Sequence, residues 1–150
     1  ISVNGGVTVT LSNISVTKTG DSDGGDNTSF YGTNSAIITK SGANLKLKNI
    51  SVKTNAAGAN GVFSYGESAT TNNSSSDGTT ITISDSSITT LKDNSGGIMT
   101  TWGGNMNAYN LTINISGTSL AAIRTDRGGG TVTVEGGTHT TFLYITLYLS

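Results

Sequence analysis

Aliphatic residues Ile1, Ile37, Val62, Ile98 and Ile123 recur along the chain at separations of 36, 25, 36 and 25 residues. A second register, Asn13, Asn49, Asp85 and Asn110, runs beside it at separations of 36, 36 and 25. Both reduce to a unit of 25 residues that sometimes carries 11 more. A fixed period of this size is the mark of stacked supersecondary units, each burying its apolar face on the next.

The unit Ser35 to Asn60 shows what is repeated. Ser35 to Thr39 reads as a short strand, and Leu45-Lys46-Leu47-Lys48 alternates so that both leucines face inward and both lysines face water. After Asn49, Ile50-Ser51-Val52-Lys53-Thr54 alternates again. Val9/Leu11, Ile81/Ile83, Met106/Ala108 and Val132/Val134 match Leu45/Leu47, and Ile14/Val16 and Leu111/Ile113 match Ile50/Val52. Three strands in about 25 residues predict an all-β chain, a right-handed parallel β-helix with three sides and about five coils, as a single domain over 1–150. The Asn/Asp column falls at the corner between the second and third strands. It is expected to be a buried amide ladder rather than a ligand row, because inward aliphatic positions flank it.

Composition agrees with folded β structure. Thr, Gly, Ser and Asn make up 82 of 150 residues, yet Pro is absent and the net charge is −1, unlike most disordered chains. Scattered Lys and Arg at near-neutral charge give no footprint for nucleic acid. No apolar run is long enough to span a membrane as a helix. With no Cys there is neither a disulfide framework nor a thiolate metal site. The start at Ile1, without a basic segment or apolar leader, reads as a piece of a longer polypeptide with flanking domains.

The 11-residue additions locate a candidate face. One falls in 20–34 (GDSDGGDNTSFYGTN) and the other in 66–78 (GESATTNNSSSDG), on either side of the first strand of a unit. If Ile37, Val62, Ile98 and Ile123 point inward, Ile38, Phe63, Met99 and Arg124 point outward, as do Lys40, Tyr65 and Asp126, with Trp102 and Arg127 at strand ends. An aromatic stripe edged by polar groups suits a sugar or a partner surface. The other open reading is that Phe30 and Tyr31 fold back and cover it.

Catalysis has weak support. A glycosidase needs two carboxylates about the scissile bond, and only Asp126 lies on this face outside the loops. Arg124, Asp126 and Arg127 fit either a salt-bridged turn or a site for an acidic sugar. Asp21, Asp23 and Asp26 surround a Gly turn and resemble half of a Ca²⁺ loop, without the spacing of an EF-hand; the alternative is a solvated acidic loop. The tail 142–150 breaks the pattern with the densest apolar run of the chain.

Asn94-Ser95-Gly96-Gly97-Ile98, Asn110-Leu111-Thr112-Ile113 and the segment Ala121 to Val134 (AAIRTDRGGGTVTV) resemble repeats of bacterial right-handed β-helix proteins of the pectin-lyase-like, adhesin type. The resemblance covers roughly residues 1–141 and departs in the tail. It implies an extracellular or cell-surface bacterial protein with a right-handed superhelix, and the face of Ile38, Phe63, Tyr65, Met99 and Trp102 then suggests binding of polysaccharide or a neighbouring surface without catalysis. The alternatives are a polysaccharide lyase using Arg124 or Arg127 with Ca²⁺ near Asp126, and a passive stalk.

Overall fold

The computed structural model describes residues 1–67 and 76–142. Twelve strands and one short helix follow in the order β1 (Ser2–Val3), β2 (Thr8–Ser12), β3 (Ser15–Lys18), α1 (Asp26–Tyr31), β4 (Ile37–Lys40), β5 (Asn44–Lys48), β6 (Ser51–Thr54), β7 (Val62–Tyr65), β8 (Thr80–Thr90), β9 (Ile98–Thr101), β10 (Gly104–Ile115), β11 (Ile123–Thr125) and β12 (Gly130–Thr141). Among the described residues every strand pairing is parallel.

The pairing register is the one the periodicity implies. Ile37 pairs with Val62, Val62 with Ile98 and Ile98 with Ile123. Val9, Leu45, Ile81, Met106 and Val132 form a second aliphatic file through successive partners. Val16, Val52, Ile88 and Ile113 form a third. These files meet in one core whose central members, among them Ile37, Leu45, Ile81, Ile88, Ile98 and Ile113, are fully buried. Each such side chain contributes roughly 1.5–3 kcal/mol of burial free energy.

The architecture corrects the expected three-sided β-helix of about five coils. The described residues form two parallel sheets that do not close on each other, one of five strands ordered β1-β4-β7-β9-β11 and one of seven. In the larger sheet β12-β10-β8-β5-β2 are neighbours, β3 pairs with β6, and β6 pairs with β8. The physical reason lies at the Asn/Asp column. Asn13, Asn49, Asp85 and Asn110 adopt φ of 56°, 52°, 49° and 53°. At Asp85 and Asn110 the left-handed residue bends the strand without ending it, and at Asn13 and Asn49 β2 and β5 stop while β3 and β6 resume in the same sheet. Tyr109 and Leu111, on either side of Asn110, both keep their partners in β8 and β12. What alternation suggested were two separate sides is therefore one continuous bent sheet.

The segment 20–34 is more than a loop. Gly25 and Gly32 bound α1, and Gly32 closes it in the left-handed conformation with its N–H donating to the Asn27 carbonyl. In the segment 66–78, positions 68–75 lie outside the described residues. Its ends meet, because the Glu67 N–H donates to Asp77 Oδ2 at 3.2 Å. The expected atypical tail lies outside the described residues from 143 onward; Phe142 is exposed and its N–H donates to the Ile115 carbonyl at 3.0 Å. Among the described residues no helix is long and apolar enough to cross a membrane.

Candidate functional site

The stripe predicted to face outward exists on the five-stranded sheet, and α1 lies over part of it. Ile38, Phe63, Met99 and Arg124 are successive cross-strand partners. Yet Phe63 and Met99 are 0 % exposed. The α-carbon of Gly32 sits so close that a Cβ there would lie 2.7 Å from the Phe63 ring. Hydrogen bonds fix the cover: Thr101 Oγ1 donates to the Phe30 carbonyl at 2.8 Å, and Asn60 Nδ2 to the Thr28 carbonyl at 3.3 Å. Phe63 and Met99 thus serve as a small second core, a correction to their expected place on a binding surface. Ile38 and Lys40 remain half-buried.

Aromatic surface survives at the strand ends. Tyr31, for which the sequence left a covering role open, is exposed and stacks on Trp102 with centroids 5.9 Å apart. It also meets the half-buried Tyr65 edge-on at 5.7 Å. Partial burial raises the Tyr65 phenol above its usual pKa, and the nearby Glu67, Tyr31 and Asp77 add to the shift.

Trp102 has φ of 53°, in a turn whose equivalents include Gly5, Ser41 and Gly128, all at positive φ. The register supports this equivalence, since Gly104 pairs with Gly130 and the Trp102 N–H donates to the Arg127 carbonyl at 2.8 Å. A left-handed L-residue costs about 1–2 kcal/mol relative to the right-handed form. The indole lies against Gly128, where a Cβ would come within 2.7 Å of the Trp102 α-carbon.

The charged end of the stripe is internally engaged. Arg124 pairs with Asp126, whose Oδ1 accepts the Arg127 N–H at 2.7 Å. The Arg127 guanidinium stands 3.9 Å from the Phe30 ring centroid and pairs with Asp26 at 3.4 Å. This is the salt-bridged turn, with both guanidiniums occupied rather than converging on a space for a substrate carboxylate.

The three acidic residues proposed for Ca²⁺ go to separate partners. Asp21 Oδ1 accepts the Ala57 N–H at 2.8 Å, Asp23 Oδ1 the Gly25 N–H at 3.0 Å, and Asp26 faces Arg127. Among the described residues no group of three His, Cys, Asp or Glu side chains is placed to hold a metal ion.

The corner column also departs from expectation, being solvent-exposed rather than buried. Asn49 Nδ2 donates to Asn13 Oδ1 at 2.7 Å, and Asn110 Nδ2 to Asp85 Oδ1 at 3.0 Å. Beside it runs a groove of about 560 Å³ lined by the column, by Ile14 and Ile50, and by Ser15, Ser51, Ser86, Ser87 and Thr112. The sequence carried the signal, an Asn/Asp file with hydroxyl residues two positions on, but alternation cannot tell which way a left-handed residue points.

Compared with protein-family models, with curated proteins and with solved structures, the chain gives no match.

Proposed function

We propose that this chain is a non-catalytic binding segment of an extracellular bacterial surface protein, engaging carbohydrate or a partner surface through Tyr31, Tyr65 and Trp102. The observation that carries the reading is Trp102. A large aromatic residue stands at a left-handed turn position where equivalent turns use Gly5, Ser41 and Gly128. Backbone strain of this kind persists where the surrounding structure holds it, and it gathers at functional sites. The Tyr31 ring extends the surface, and Lys40 and Glu67 supply polar groups nearby. Aromatic faces with a polar rim suit the CH-rich faces and hydroxyls of sugars.

A glycan array probed with the wild type and with a Tyr31→Ala/Trp102→Gly variant tests the reading. Binding that the variant loses, with its thermal unfolding still cooperative, supports it. Equal binding by both proteins, or none by either, removes the proposed site.

A further inference from the structure

We infer that the groove beside Asn13, Asn49, Asp85 and Asn110 is a second binding site, for an extended neutral oligosaccharide running across the strands. The backbone does not need these four side chains. The Asn13 and Asn49 N–H groups already donate to the Lys48 and Ser84 carbonyls, each at 3.1 Å. The bend needs only a left-handed residue, and Gly136, with φ of 67°, provides it without a side chain in the last strand.

What the side chains do instead is orient one another. In each hydrogen-bonded pair one amide is a donor and its neighbour an acceptor, which fixes both planes before any ligand arrives. Among the described residues, Asn13 Nδ2, Asn49 Oδ1, Asp85 Oδ2 and Asn110 Oδ1 then have no protein partner, and all four residues are exposed. One donor and three acceptors therefore stand in line, with the Ser51 and Ser87 hydroxyls in a parallel file.

The constant register makes the line straight, with one step per strand at ~4.8 Å. That step is close to the length of one extended pyranose unit. Sugar hydroxyls donate and accept at once, so a chain with one residue per strand can answer each group in turn. Asp85 is the one formally charged residue of the lining, which favours a neutral chain over a polyanion.

The test is a titration of the protein, followed by backbone amide NMR, with linear neutral hexasaccharides of glucose, mannose and xylose. Asn49→Gly and Asp85→Gly keep a residue suited to the bend and delete the side chains. The expected result is that at least one hexasaccharide shifts the amides of Asn49 to Ser51 and Asp85 to Ser87. Each Gly variant should then bind about two- to ten-fold more weakly, the loss expected from deleting one hydrogen bond to an uncharged ligand. In Tyr31→Ala the amides of these two segments should shift at the same hexasaccharide concentration as in the wild type, whatever happens at the aromatic surface, which separates this site from the aromatic one. No shift in these segments with any of the three, undiminished binding by both Gly variants, or a loss confined to Tyr31→Ala would overturn the inference.

Discussion

The Tyr31 ring stacks on the Trp102 indole with planes 23° apart, joining an insertion to the end of a strand far along the chain. Tyr31 is the last residue of α1, so whatever holds that helix in place also holds the aromatic surface.

Gly32 sets that position. With φ of 65° and the Phe63 ring under its α-carbon, Gly32→Ala brings both a strained backbone and a steric clash. The variant should lose more than about 1 kcal/mol in denaturant unfolding. The chain has one Trp, so its fluorescence should shift to the red as Tyr31 leaves it. Phe63→Ala should cost about 3–5 kcal/mol, as for a fully buried aromatic side chain. An unchanged midpoint in either variant would contradict the covering role of α1.

The bend at Asn49 asks for conformation more than for a particular side chain. Asn49→Gly should change stability by only a few tenths of a kcal/mol, about the cap-position difference between these residues. Asn49→Val should lose about 1–2 kcal/mol, because its Cβ meets the carbonyl in the left-handed region. Thermal melts of the pair check this, and equal losses would remove the conformational argument.

Thr100 lies at 0 % exposure and its hydroxyl has no partner among the described residues. A buried hydroxyl without a hydrogen bond costs about 1–3 kcal/mol. Thr100→Val keeps the shape and removes the orphan, so the unfolding midpoint should rise. A lower midpoint would point to a hydrogen bond made by that hydroxyl.

The Thr118 N–H and hydroxyl hold the Asp93 carboxyl below its usual value of 3.8, the N–H at 2.9 Å from Oδ1. As pH falls, the unfolded chain takes up this proton before the folded one does. The stabilisation is therefore complete above about pH 4 and fades as pH drops through the lower folded value. Asp77 behaves alike: partial burial pushes its carboxyl up, but hydrogen bonds from Thr79, Glu67 and Gly42 together bring it down. Asp93→Asn and Asp77→Asn should each be less stable than wild type at pH 6 and approach it at pH 3. A constant difference across that range would rule out the linkage.

The register was legible because inward aliphatic residues must meet their like in every layer, and Ile37, Val62, Ile98 and Ile123 do. The number of sheets was not. A lone Asn or Asp between two alternating runs looks the same whether it ends a strand or bends one, and at Asp85 and Asn110 it bends. Helix α1 was hidden for another reason. Its six residues, DNTSFY, are poor helix formers, and contacts with the sheet below hold it. The side of the cover that the Tyr31 ring takes was not legible either, because sequence shows only that an aromatic residue is near a face.

Val62 pairs with Ile37 across a short step and with Ile98 across a long one, in the same parallel register. The stacking therefore does not sense how far the chain travels between layers. In a protein built this way, surface segments can be exchanged as cassettes, with the ladder as a fixed chassis. Replacing residues between Lys18 and Ser35 would rewrite what the molecule displays and leave the aliphatic files paired, so long as the new segment still covers Phe63 and Met99.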